Sequence, residues 1–222
     1  MSAVKTNELF DLAHSRAGEY LKNTTYPHEA LAEIGKWILA IGEKLDEANF
    51  DRPAPDIWIA KSAKVAPTAS ITGPCIVDED TEVRHCAFIR GNALIGKGAV
   101  VGNSTELKNV ILFDGVQVPH YNYVGDSILG FKAHMGAGSI TSNVKGDKSL
   151  VVIKNGEQKI PTERKKVGAM LGDFAEIGCG CVLNPGTVVG PRTQVYPLTS
   201  VRGVLPADSI CKDSNTVVAK KR

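Results

Sequence analysis

Ile59, Val65, Ile71, Val77, Val83, Ile89, Ile95, Val101 and Leu107 stand in unbroken steps of six. No helical face can hold them, because six residues at ~100° each leave successive members about 240° apart. A flat strand would keep them on one face but would alternate throughout, and Thr72-Gly73-Pro74 and Arg90-Gly91-Asn92 interrupt this stretch with turn residues. Short strands wound into a coil, with every sixth residue facing inward, satisfy both facts. Hexapeptide repeats of this kind build a parallel β-helix.

The ladder resumes at Leu112, Val118 and Val124, then at Leu129, Met135 and Thr141, and finally at Leu171, Ile177, Leu183, Val189, Val195 and Val201. Three anchors per turn give about seven coils for the whole set. Two steps shrink to five residues, Leu107 to Leu112 and Val124 to Leu129, so the wall around 108–128 must bend. Residues 145–166 interrupt the repeat. Within them Leu150–Gly156 and Gln158-Lys159-Ile160 spell a hairpin with an Asn-Gly turn, a protruding arm carrying Lys145, Lys148, Lys154, Lys159, Arg164, Lys165 and Lys166.

Ahead of the repeats, residues 7–22 and 29–45 read as helices. Leu31, Ile34, Ile38, Ile41 and Leu45 recur at helical spacing, and Asn23–Pro27 separates the two. The expected division is a helical hairpin in 1–52 capping one open end, a β-helix in 53–211, and a basic tail in 212–222 ending in Lys220, Lys221 and Arg222. Too little apolar surface is available for the hairpin to fold unsupported.

Composition narrows the function. With 222 residues, 43% hydrophobic, and a net charge of +2 from 26 Lys/Arg and 24 Asp/Glu, the chain offers no field for nucleic acid. The start, Met1-Ser2-Ala3-Val4-Lys5, lacks a signal-peptide core, and no apolar run reaches the ~18 residues of a membrane span. A cytoplasmic protein is expected. Five cysteines, at 75, 86, 179, 181 and 211, form no CxxC pair, which favours reduced thiols. Cys179-Gly-Cys181 reads as small residues on a crowded strand, and no metal is expected.

A family pattern then emerges. Phe88-Ile89-Arg90, Val101-Gly102-Asn103, Glu106-Leu107-Lys108, Pro119–Asp126 and Met135–Asn143 occur in the order of the left-handed β-helix acetyltransferase half of the bifunctional enzyme that makes UDP-N-acetylglucosamine, which the chain resembles. Arg164–Asp173 looks most like the archaeal-type sugar-1-phosphate nucleotidyltransferases carrying that same C-terminal half. The family's Gly-rich nucleotidyltransferase half has no counterpart in residues 1–58, so nucleotidyl transfer is not expected of this chain.

The resemblance implies a left-handed helix assembled as a homotrimer and N-acetylation of an amino sugar 1-phosphate by acetyl-CoA. It assigns His120 as general base, Asn143 beside the amine, and Arg90, Lys108, Tyr123 and Lys148 to the sugar phosphate. Cys179, Tyr196 and Pro197 fall at coenzyme A contacts. The chemistry agrees: a guanidinium forks onto phosphate, an ammonium adds a point charge, and an imidazole titrates near neutrality. The sequence departs from the pattern at His134 (Asn in the family), at Val144 (commonly Tyr) and in the bulk of Tyr196-Pro197. Two other readings stay open, a silent sugar-phosphate-binding scaffold and a zinc carbonic-anhydrase-like enzyme using His85, His120 and His134.

Overall fold

The computed structural model describes residues 4–221; Met1–Ala3, where the start of the chain was read for a signal, and Arg222 of the basic end lie outside them. The chain is mainly β and winds into a left-handed parallel β-helix with three walls. The first wall holds Lys64–Val65, Glu82–Val83, Val100–Asn103, Gln117–His120, His134–Met135, Glu176–Ile177, Gln194–Val195 and Ser209–Asp213. The second runs from Ser70–Ile71 and Phe88–Ile89 to Ile140–Thr141, Val182–Leu183 and Ser200–Val201. The third runs from Ile57–Ala60, Cys75–Val77 and Ala93–Ile95 to Ala169–Leu171, Thr187–Val189 and Val204–Leu205. Glu106–Leu112 and Tyr123–Leu129 pass from the second wall into the third without a break. These are the segments where the six-residue step shrinks to five.

The inward ladder pairs as its spacing requires. Val77 stacks on Ile95, Ile95 on Leu112, and Leu129 on Leu171 in the third wall. Ile89, Leu107, Val124 and Thr141 do the same in the second, and Leu205 and Cys211 continue the stacks beyond Val201. Corners are made by residues held at positive φ, stacked from coil to coil: Cys86, Ser104, Tyr121, Gly138, Gly180 and Leu198 share one corner. Each non-glycine there costs free energy of order 1 kcal/mol, a cost the surrounding ladder outweighs.

The third wall is apolar on its outer face as well. Trp58, Ile76, Leu94, Ile111, Ile128, Met170, Val188 and Val204 form a second, outward column, and all but Val204 are buried. The N-terminal segment covers it. Ile34–Gly42 is helical, shorter than expected, and lays Ile34, Ile38 and Ile41 against this wall, with Pro27–Ala32 as a 3-10 turn before it. The helical segment from Thr6 to Gly42 therefore packs along the side of the β-helix, not over its open end as expected. The expected helix 7–22 is also broken, into Thr6–Leu9, Leu12–His14 and Gly18–Leu21. Its backbone exchanges helical bonds for bonds to the coil: Asp11 N–H donates to Asp173 Oδ2 at 2.7 Å, Asp173 N–H to Leu9 O at 3.0 Å, and Asp114 N–H to His14 O at 3.0 Å.

Arg16 clamps this segment with two bonds to buried Asp78, at 2.5 and 2.8 Å. Asp78→Ala should destabilise the fold by about 3 kcal/mol, the low end for breaking a buried pair, because the Arg16 side chain keeps 35% of its surface exposed. Urea unfolding measures this, and an unchanged midpoint would show that the clamp does not hold the segment.

The hairpin of the arm forms Val152–Asn155 and Gln158–Pro161, joined by Gly156-Glu157. Asn155 pairs with Gln158, so the two-residue turn sits one position later than the Asn-Gly expected, with Gly156 at φ +61 as a type II′ turn requires. One face of the arm, Val151, Ile153 and Ile160, is buried. The C-terminal stretch is not a free tail: Thr216–Ala219 pairs antiparallel with Ser209–Asp213, because Thr216-Val217-Val218 is β-branched and extends the first wall at its open edge.

Candidate active site at two corners of the second wall

At the corner between the second and third walls, Arg90 stacks one coil from Lys108, about 4.8 Å away in backbone spacing, since Arg90 N–H donates to Leu107 O and Lys108 pairs with Gly125. Glu106 holds the Arg90 guanidinium, Nη1 to Oε1 at 2.7 Å, and this bond raises its already high pKa. Lys108 Nζ lies 3.5 Å from Asp126 Oδ1. Asp126 is buried and collects two more donors, Asn143 Nδ2 at 2.6 Å and Asn109 Nδ2 at 2.9 Å. Asn143 Nδ2 is also 3.2 Å from Tyr123 Oη, which accepts from it.

Gly125 makes this knot possible. A Cβ there would fall 2.4 Å from Tyr123 Oη and 3.0 Å from Asn143 Nδ2. Burial, with the negative charges of Asp126 and Glu106, raises the Tyr123 pKa, so the phenol stays protonated as a donor. Arg90, Lys108, Tyr123 and Asn143 thus gather at one corner, with Asp126, which the sequence reading noted only as part of the motif, and with Asn109 and Gly125, to which it gave no role. Their signal was the unbroken Tyr123–Leu129 strand bending through an acidic corner.

His120 occupies the other edge of the same wall. Backbone bonds place His85, Asn103, His120, Ala137, Cys179 and Pro197 in one vertical column: Ser104 N–H donates to His85 O, Tyr121 to Asn103 O, Gly138 to His120 O, Gly180 to Ala137 O, and Leu198 to Cys179 O. The expected coenzyme residues therefore lie directly below the expected base, with Cys179 two coils and Pro197 three coils away, about 10 and 14 Å. Gly136, Ala137, Gly138, Gly178 and Gly180, residues with little or no side chain, stand between them. His85 is two coils above His120 and bonds Thr68 Oγ1 at 3.1 Å, while His134 bonds Glu176 at 2.9 Å. A zinc ion needs its ligands about 2 Å away, so these three histidines do not converge on one.

Lys148 lies in the exposed turn that opens the arm, its N–H bonded to Lys145 O. The arm's end supplies other cations to the corner. Arg164, Lys165 and Lys166 line a cavity of about 530 Å³ with Lys108, Asn109, Asp126, Asn92, Leu31 and Ala32. They are tied beside Asn143, because Val167 N–H donates to Asn143 O and Lys166 bridges to Val144.

Fold and corners together define a hexapeptide-repeat β-helix protein. A family described as the GMPPB C-terminal domain matches residues 71–156. The bifunctional protein GlmU of Methanococcus maripaludis is 30% identical over 180 residues, covering 72% of this chain and 44% of that protein. The bifunctional sugar-1-phosphate nucleotidylyltransferase/acetyltransferase of Sulfurisphaera tokodaii is 28% identical over 183 residues, covering 73% of this chain and 45% of its own length. A putative uncharacterized acetyltransferase of Escherichia coli, YaiX, is 28% identical over 161 residues, covering 72% of this chain and 70% of that protein. The resemblance carried by residues 88–143 is borne out by these relatives, and the chain spans less than half the length of the bifunctional ones.

Proposed function

We propose that the protein is an N-acetyltransferase that moves the acetyl group of acetyl-CoA to an amino sugar 1-phosphate. One observation carries this reading: motif residues scattered over 90–143 gather at the two corners that bound the second wall, with a cationic corner suited to phosphate at one and an exposed imidazole above a run of small residues at the other. Arg90 and Lys108 take the phosphate, Tyr123 donates a further bond, and Asn143, held by Asp126, orients the amine. The amine nitrogen attacks the thioester carbonyl, His120 accepts its proton, and coenzyme A leaves as the thiol once protonated. No acyl-enzyme forms on cysteine, since Cys179 lies about 10 Å from His120 and burial raises the Cys181 thiol pKa, keeping it protonated.

A homotrimer fits the surface. The third wall is covered by the chain's own N-terminal segment and arm, while Phe88, Tyr121, Tyr196 and Leu198 stand exposed around the second, with Leu198 at 85%. A monomeric mass at micromolar concentration would overturn the trimer. The site chemistry belongs to a cytoplasmic metabolite enzyme, and among the described residues no helix is long and apolar enough to cross a membrane.

Screening amino sugar phosphates with acetyl-CoA tests the activity. Arg90→Ala should raise the KM for the acceptor at least tenfold while the KM for acetyl-CoA stays within about twofold, because only one substrate carries the phosphate it holds. Equal losses on both substrates would remove Arg90 from the acceptor site. The silent binder is the second reading, favoured by Leu198 over Gly180 and by Pro197 packed on Gly178 in the column below His120. Calorimetry with coenzyme A decides between them, since a silent binder takes up the sugar phosphate alone.

A further inference from the structure

The cavity between the N-terminal segment and the end of the arm gathers cations that the Arg90–Lys108 corner does not use. At the neighbouring corner Arg90 is paired with Glu106 and Lys108 with Asp126. Arg164, Lys165 and Lys166 add three consecutive cations within the same cavity as Lys108. Its acidic residues are Asp126, saturated by Asn109, Asn143 and Lys108, and Glu163 on the exposed arm.

A second observation points to a ligand. Arg164 Nε is buried and has no hydrogen-bond acceptor, and His28 Nδ1, from the N-terminal segment, is buried without a partner as well. His28 is 4% exposed, and its ring stacks on Tyr26 within reach of the Arg164 charge. Buried polar atoms left unpaired are costly, by about 1–3 kcal/mol each, and Arg164 Nε, always a donor, marks a place where a bound acceptor would complete the bonding. The cavity's volume falls in the range of small-molecule sites, about 300–1,000 Å³.

We propose that this cavity receives the second phosphate of a diphosphate, so that the acceptor is an amino sugar linked to a nucleoside diphosphate. The inference rests on the acyl-transfer reading for the amine end of the acceptor. The phosphate nearest the sugar sits on Arg90, Lys108 and Tyr123, and the next passes into the cavity against Arg164, Lys165 and Lys166. Coenzyme A also carries a diphosphate, so the test separates the two sources.

Inorganic pyrophosphate, UDP and coenzyme A are titrated calorimetrically into the full chain, its Lys165→Ala/Lys166→Ala double variant and Arg164→Ala. Both lysines are exposed, so the double variant should fold even if Arg164→Ala does not. Pyrophosphate and UDP should bind the parent and lose at least tenfold in affinity in the double variant, with coenzyme A unchanged. Equal affinities in parent and variant, or a loss confined to coenzyme A, overturn the proposal. Acetyl transfer to an amino sugar 1-phosphate and to its UDP-linked form is then compared. A tenfold preference in kcat/KM for the UDP-linked form, abolished by the double variant, supports it. If the 1-phosphate is acetylated equally well, the diphosphate pocket fails and acyl transfer stands. If UDP binds through Lys165 and Lys166 but neither acceptor is acetylated, the acyl-transfer reading fails and the pocket stands.

Discussion

His120→Ala should lower kcat for acetyl transfer by about 10²–10⁴-fold, the usual range for losing a general base, and leave the fold unchanged. The imidazole is exposed, and its residue is fixed by the backbone alone, through Asn122 Oδ1 on its N–H and Gly138 N–H on its carbonyl. Alanine can keep both bonds. Acceptor binding should persist, because the phosphate corner lies at the opposite edge of the wall. Steady-state kinetics with calorimetry of the acceptor measures both quantities. A variant that turns over like the parent would remove His120 from the chemistry, whereas a loss of acceptor binding with kcat intact would make it a binding residue.

Ile111→Asp should destabilise the protein by more than about 4 kcal/mol, at the extreme end for a single substitution. Ile111 points outward from the third wall, a direction that in an uncovered β-helix faces water, yet it is 1% exposed beneath the N-terminal segment. A carboxylate there must either enter an apolar layer unpaired or detach the segment. Detachment would expose the chain before residue 50 to limited proteolysis and uncover the column from Ile76 to Ile128, so aggregation should accompany it. Unfolding by urea and the pattern of early proteolytic fragments test the prediction. A variant as stable as the parent would mean that the segment contributes little to the fold.

Much of the architecture was legible because a β-helix converts a linear period into a spatial column. Val83, Val101 and Val118 stack since they occupy equivalent places in successive coils, and the shrunken steps at Leu107–Leu112 and Val124–Leu129 correspond to strands that turn a corner unbroken. The arm was equally readable, save for the placement of its turn. Among the site residues, Arg90, Lys108, Tyr123 and Asn143 gather because their spacings of 18, 15 and 20 residues approximate one coil each. Lys148 lies outside the gathering, since the arm departs from the coil just before it and no period governs what an excursion does.

The sequence by itself determined the inward ladder, the number of walls and the stacking of the motif residues, because each depends on a repeat that local geometry propagates from coil to coil. Only the tertiary structure decided what covers the outside. The outward apolar column Trp58, Ile76, Leu94, Ile111 recurs about once per coil rather than every sixth residue, so it is hidden within triplets such as Ala93-Leu94-Ile95 that read as ordinary buried strands. That column drew the N-terminal segment onto the side of the helix and broke its first expected helix, since bonds to Asp78, Asp114 and Asp173 replaced bonds within it. The same docking set Leu31 and His28 opposite Lys108 and Arg164, partners far apart in the chain with no common period. Contacts between non-repeating segments are fixed by the apolar area they bury together, a quantity that no spacing along a single chain records.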